Sequence, residues 1–253
     1  VAIPVRTLLI DTDIVAYKAA ARAEESTAFG VVVGDLQEAC NMAEGVIEEY
    51  RELLEADEII VCLTDTWNFR LDVDPTYKAN RSGTVRPQLL KPIKDYLAET
   101  YRSYIRPSLE ADDVMGILAT HPTLIPGDKI IVSEDKDMRT IPAKVYHPHR
   151  PELGVMEVSR LDADRFLMWQ TICGDATDGY PGARGVGKSS EYAKDIIFTD
   201  REDLWNEVIG AFASVGLTEE DALRQARLAR ILRAEDYNLK ERKVNLWTPL
   251  MLL

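Results

Sequence analysis

With 253 residues, 46% of them hydrophobic, the chain is long enough to bury a sizeable core as one domain or as two closely joined ones. No apolar run approaches the roughly 20 residues of a membrane-spanning helix, and no basic-apolar-small leader opens the sequence as given, so no membrane partner and a cytoplasmic location are expected. A formal net charge of −13 argues on average against nucleic acid as a partner, but the charges are segregated: residues 77–94 hold Lys78, Arg81, Arg86, Lys91 and Lys94 and no acid.

The first element, "VRTLLID", is a short apolar run ending in Asp11 and reads as a buried strand, followed at helical spacing by "DIVAYKAAARAEE". "DLQEACNMAEGVIEEYRELLEA" is a long amphipathic helix with Leu36, Ala39, Cys40, Ala43, Val46, Ile47 and Tyr50 on its apolar face. "EIIVCLTD" is a second buried strand ending in Asp65. The stretch from Trp67 to Arg106 is polar, basic and broken by Pro75, Pro87 and Pro92, with one helix around 93–101. "ADDVMGILATH" is helical, "KIIVSED" is a third strand and "AKVYHP" a fourth. Strands that are continuous apolar runs alternating with helices indicate a parallel sheet covered on both faces.

After about residue 158 the strand signal stops. "RLDADRFLMWQTICG", "SSEYAKDIIF", "REDLWNEVIGAFASVG" and "TEEDALRQARLARILRAE" are helical, the last opening with a capping box from Thr218 to Asp221. The expected organisation is an α/β domain over 1–158 and a helical, DNA-binding region over 159–253. Cys40, Cys62 and Cys173 are odd in number, scattered and without a CxxC pair, which suggests reduced thiols rather than disulfides or zinc. His121, His147 and His149 are the only histidines, and "YHPHRP" reads as a solvated loop.

Acids gather where such sheets bind ligands. Asp11, Asp65 and the Asp135/Asp137 pair follow strand ends, Glu110, Asp112 and Asp113 open a helix, and Asp175 and Asp178 lie in "CGDATDGYPG". Each alone is an ordinary turn or helix-start residue, but on one rim they would repel, lose charge or splay unless cations sat among them. All-oxygen ligands favour Mg²⁺ or Mn²⁺ over zinc, and this many carboxylates imply two ions, an arrangement suited to in-line phosphodiester hydrolysis.

Two stretches suit phosphate. In "DPTYKANRSGTVRP", Lys78 and Arg81 can grip a phosphate with Tyr77 stacking a terminal base, and Arg86 extends the basic surface. In "GYPGARGVGKSS", Gly182, Gly185 and Gly187 permit a tight hairpin that offers backbone amides, with Lys188 beside it, to duplex phosphate. "GARGVGKS" also matches the Walker A spacing, but helix rather than strand precedes it, leaving an ATPase a minor alternative. Arg224, Arg227, Arg230 and Arg233 recur every third residue, as either a duplex track or a solvated helix face.

Taken together, "LLIDTDIVAYKAA", "LTD", "YKANR", "LEADDVMG", "IVSEDKDM" and "GDATDGYPGARGVGK" resemble, in order, the motifs of the 5′-nuclease family, which includes flap endonucleases and the 5′-exonuclease domains of bacterial DNA polymerases. The resemblance covers roughly residues 7–190 and is nearest in flavour to compact phage exonucleases. It implies a PIN-like α/β core with a helical C-terminal region. One metal would lie around Asp11, Asp65 and Asp112, with Glu110 acting through water. The second would lie around Asp135, Asp137, Asp175 and Asp178, with Asp112 or Asp113 near both. Lys78 and Arg81 would steer the scissile phosphate, Tyr77 would stack near the 5′ end, and Gly182–Lys188 would be a helix-hairpin-helix-like element where K⁺ helps bind duplex. The implied activity is 5′→3′ exonuclease action on duplex DNA by a monomer, with flaps and RNA–DNA hybrids as further substrates. A structure-specific flap endonuclease, a PIN-type endoribonuclease and a non-catalytic binder of structured nucleic acid are the alternatives. Thr66 stands where the family usually has Gly or Ala, Gly179 stands where Asn is common, Asp13 is an extra acid, and the stretch from Arg81 to Glu110 is short for a threading arch.

Overall fold

The computed structural model describes residues 4–26 and 32–252. Strand β1 (Arg6–Asp11) runs into helix α1 (Thr12–Ala23), which Asp11 caps by accepting the Ile14 amide. The antiparallel pair β2 (Glu24–Ser26) and β3 (Val32–Gly34) leads to α2 (Leu36–Leu53), capped by Asp35, and then to β4 (Glu58–Cys62). After the one-turn α3 (Arg70–Val73) come α4 (Leu90–Thr100) and the edge strand β5 (Arg102–Tyr104). Helix α5 (Ala111–Thr120) starts with a capping box between Glu110 and Asp113.

Strands β6 (Asp128–Val132), β7 (Lys144–Tyr146) and β8 (Val155–Glu157) complete the α/β part. Helices α6 (Arg160–Cys173), α7 (Glu191–Asp195), α8 (Leu204–Ala213) and α9 (Glu219–Ala229) follow, the last with the capping box its sequence indicates. A small ribbon of β9 (Tyr237–Asn238) and β10 (Lys243–Val244) then shows that strand structure does not end at 158.

The central sheet has six strands in the order β5-β4-β1-β6-β7-β8, parallel except for β8. The chain steps outward from β1 through β4 to β5, then returns to the other side of β1 for β6 and β7. The β1–β6 boundary is therefore the switch point at which parallel sheets open a binding crevice. Strand alternation assigns the two faces. Leu8, Ile10, Ile59, Val61, Ile130 and Val132 pack with α1, α2 and α4, while Leu9, Ile60, Cys62 and Ile131 pack with α5.

The C-terminal helices enclose a third cluster, built on Leu167, Phe212, Ala226 and Trp247. Beyond α9 the chain returns to the α/β core, where Ile231, Leu232 and Tyr237 join the cluster on the α5 face. Gly116 makes that approach possible: a Cβ there would sit 2.3 Å from the Leu232 carbonyl oxygen. The arginine spacing that suggested an exposed duplex track breaks at the end of α9. Arg230 and Arg233 are buried, paired with Asp236 and Asp164 at 2.8 and 2.7 Å, while Arg227 donates to the Trp247 carbonyl and Arg224 is exposed. Those two arginines hold the fold together and form no part of a track.

Candidate active site

Asp11 at the end of β1 and Ser133 just past β6 meet across the switch point, the Ser133 hydroxyl donating to Asp11 Oδ2 at 2.7 Å. Asp135 follows, its Oδ1 accepting the Asp137 amide at 2.8 Å, and Asp112 enters from the first turn of α5. Burial pushes the Asp11 carboxyl up to about 7; the charges of Asp13 and Asp135 add to the rise and the Ser133 hydrogen bond opposes it. Asp112 is pushed well up, first by burial and then by Asp11, Asp135 and Glu110, which Lys78 does not offset. Burial and the Asp135 charge raise Asp137 to about 6. Four acids from three separate segments thus form one electrostatically linked group.

The outer acids are compensated by bases. Lys136 Nζ lies 2.6 Å from Asp175 and 3.2 Å from Asp137; burial disfavours its charge, but the two carboxylates outweigh that and raise its pKa. Lys78 reaches Glu110 at 2.5 Å and Asp178 at 3.6 Å, and Arg81 reaches Asp178 at 2.7 Å. Burial opposes ionisation of Glu110, yet Lys78 and Arg70 prevail and hold it at about 2. As the side chains stand, among the described residues no three His, Cys, Asp or Glu side chains converge into a ready ligand set, because lysine and arginine sit between the outer carboxylates. The inner group has the donor chemistry of a hard divalent cation: its donors are oxygen only, and the buried charge on Asp11 and Asp112 is undercompensated.

Several residues expected at the site are placed elsewhere. Asp113 is fully buried, and Arg70 grips both its oxygens at 2.8 Å while the Leu232 amide adds a third bond, so its carboxylate is engaged in a structural ion pair. Asp65 turns its Oδ2 to the Ser108 amide at 2.8 Å, and that bond, against burial, keeps its carboxyl below the usual range. It closes a loop and lies outside the linked acid group. Tyr77 is only 5% exposed and packs in the C-terminal cluster, its hydroxyl 3.0 Å from Asp178 and 3.2 Å from Glu110, with one proton to donate between them. A ring so enclosed presents no face to a base. Arg86 is exposed.

Within the expected hairpin, Gly182 is buried with φ +61°, its amide donates to Gln225 Oε1, and a Cβ would meet Gly174 N at 2.4 Å. It locks the turn against the end of α6 and offers no amide to phosphate. That engagement, with a helix upstream, also removes the Walker A reading. Gly185, Gly187 and Lys188 are exposed. Sequence reasoning missed Ser133 and Lys136; both lie inside the "SEDKD" run and carried a signal, as the polar residues flanking its acids.

Comparison with known proteins agrees with this architecture. The family described as "5′-3′ exonuclease, N-terminal resolvase-like domain" matches residues 6–162. The chain is 33% identical over 222 residues to an exodeoxyribonuclease of Enterobacteria phage T3, covering 76% of this chain and 73% of the relative. It is 33% identical over 222 residues to an exonuclease of Escherichia phage T7, covering 76% and 74%. It is 28% identical over 148 residues to the flap endonuclease Xni of Shewanella halifaxensis, covering 54% and 57%. Among solved structures, the phage T5 5′-exonuclease with bound zinc superposes with a TM-score of 0.63 at 17% identity, covering 88% of this chain and 89% of that one. A phage T5 flap endonuclease in a pseudo-enzyme–product complex with DNA and metal ions gives 0.63 at 17% identity, covering 88% of each. The fold is that of a 5′-nuclease. The chain belongs to the 5′-3′ exonuclease family and is accordingly a phosphodiester-hydrolysing nuclease.

Proposed function

We propose that the chain is a divalent-metal-dependent 5′→3′ exodeoxyribonuclease that removes nucleotides from the 5′ ends of duplex DNA. The observation that carries this reading is the linked group of Asp11, Asp112, Asp135 and Asp137 beside the cationic pair Lys78 and Arg81. The likeness to a phage exodeoxyribonuclease and to a flap endonuclease solved with DNA supports DNA as substrate.

Asp11, Asp112, Asp135 and Asp137 would hold two Mg²⁺ or Mn²⁺ ions, with Glu110, Asp175 and Asp178 joining them as their basic partners turn to phosphate. Bound there, such ions lower the pKa of the attacking water and stabilise charge on the phosphate and leaving oxygen. Ser133 orients Asp11 through its hydroxyl. Lys78, kept charged by Glu110 and Asp178 despite burial, exchanges a carboxylate for a phosphate oxygen as its anionic partner. Arg81, half exposed, guides the same phosphate. The exposed turn of Gly185, Gly187 and Lys188 takes duplex phosphate, with K⁺ as its companion ion. Flaps and the RNA strand of hybrids are further substrates, the flap activity favoured by the likeness to Xni. The protein acts as a monomer in the cytoplasm, the host's if the chain is a bacteriophage's.

The test is a 5′-end-labelled duplex incubated with Mg²⁺, with and without chelator. Metal-dependent release of short 5′ products supports the reading. Internal cleavage of RNA alone would favour the PIN-type endoribonuclease, and binding without cleavage the non-catalytic binder.

A further inference from the structure

The loop between β4 and α3 is stitched to the segment that leads into α5. The Asp65 amide donates to the Leu109 carbonyl at 2.9 Å, the Ser108 amide to Asp65 Oδ2 at 2.8 Å, and the Phe69 amide to the Ser108 carbonyl at 3.0 Å. The Ala111 amide adds a bond to Thr64 Oγ1 at 2.9 Å. Ser108 holds a left-handed conformation, φ 64°, to make its two bonds, an uncommon choice for a residue with a side chain. Phe69 and Arg70 are buried below, with the Arg70 guanidinium over the Phe69 ring.

At the free apex of this fixed loop stands Trp67, 52% exposed. Its ring is half in water and belongs to none of the three buried clusters. The loop's bonds fall on Ser108, Leu109 and Ala111, on both sides of Glu110, and Glu110 is the carboxylate Lys78 contacts. The exposed indole therefore stands on a loop fixed against the segment that carries the carboxylate partner of the phosphate-binding lysine. Tyr77, the aromatic residue first expected to stack on a base, is enclosed.

We propose that Trp67 is the base-stacking platform of the substrate site, taking the face of a terminal or unstacked base of the strand whose phosphate Lys78 and Arg81 hold. The inference rests on the proposed nuclease function and adds a binding residue to it. Stacking is sequence-tolerant, because every base presents a π-face, so this platform suits an enzyme that degrades strands of any sequence. The pinned loop fixes the backbone that carries the indole before substrate arrives, which spares part of the ordering cost of binding.

The experiment compares wild type, Trp67→Ala and Trp67→Phe on one duplex, intact or with its 5′-terminal nucleotide replaced by an abasic residue, in Mg²⁺. On the intact duplex, Trp67→Ala is expected to raise KM about 10- to 100-fold with kcat changed much less, and Trp67→Phe to recover most of the loss. On the abasic duplex the wild type and Trp67→Ala should converge. An unchanged KM in Trp67→Ala, a failure of Phe to rescue, or a persisting difference on the abasic duplex overturns the proposal. Thermal melting of each variant separates these results from misfolding. A wild type that cleaves neither duplex would instead overturn the nuclease reading itself.

Discussion

Arg70 and Asp113 form a bidentate ion pair sealed from solvent, with the Leu228 and Arg230 carbonyls completing the guanidinium's bonds. The pair joins α3 and α5 to the chain leaving α9, so one of three crowded acids at the start of α5 serves the fold. Removing one partner leaves an uncompensated buried charge. Asp113→Ala is therefore expected to destabilise the protein by about 3–5 kcal/mol, and Arg70→Ala similarly. Urea unfolding checks this; a loss of activity in Asp113→Ala at unchanged stability would place Asp113 among the ligands instead.

The preceding residue, Asp112, gives the opposite outcome. Asp112 is raised by burial and by Asp11, Asp135 and Glu110, so Asp112→Asn relieves repulsion in the metal-free protein. Stability should hold or rise, while kcat falls by at least about 100-fold through loss of transition-state electrostatics. Single-turnover cleavage alongside thermal melting separates the two effects.

Lys78→Ala should lower kcat by about 100- to 1,000-fold with KM changed much less, because its charge acts on the phosphate that becomes more negative in the transition state. A change confined to KM would move Lys78 from the scissile phosphate to general duplex contact. Steady-state kinetics on one labelled duplex decides.

The metal-free protein should lose stability as pH rises from about 4 to about 7. Asp11 stands at about 7 in the fold against an ordinary 3.8, so its contribution is fully present below 3.8 and lost as pH rises through the folded value. Asp137, at about 6, adds to the same slope. Glu110, held at about 2 against 4.5, works in reverse: its contribution is present above 4.5 and lost as pH falls toward 2. Urea midpoints across pH, with and without Mg²⁺, check this; Asp11→Asn should flatten the upper slope, and Mg²⁺ should restore stability by binding the folded state.

Gly182→Ala is expected to disrupt the turn at the end of α6, since the added carbon collides with backbone at 2.4 Å and the residue sits at φ +61°. Gly187→Ala meets nothing within 4 Å and should leave stability within about 0.5 kcal/mol. Melting temperatures of the two variants test whether the glycines divide into packing and surface roles.

Sheet and site were legible in the sequence to different depths. β1, β4 and β6 announce themselves as apolar runs because they are central and buried on both faces. β5, β8 and the β9–β10 ribbon are two or three residues long with exposed positions, so no run marks them. Asp11, Asp112 and Asp135 were readable as acids at strand ends and a helix start. The difference between Asp112 and Asp113 was not, because it depends on Arg70, which lies 43 positions from Asp113. Tyr77 looked like a surface aromatic in a basic loop, and its burial follows from the C-terminal helices folding over it. The three-residue arginine spacing looked helical, but α9 ends at Ala229, and Asp164 and Asp236 claim the last two.

The most direct measurement is calorimetric titration of Mn²⁺ into the wild type and Asp112→Asn near pH 6.5, in buffers of differing ionisation enthalpy. If Asp11, Asp112, Asp135 and Asp137 form one group awaiting divalent cations, the wild type binds saturably and releases protons as it does so, and Asp112→Asn binds far more weakly with less release. Equal affinity in both proteins, or binding with no proton release, would contradict the account.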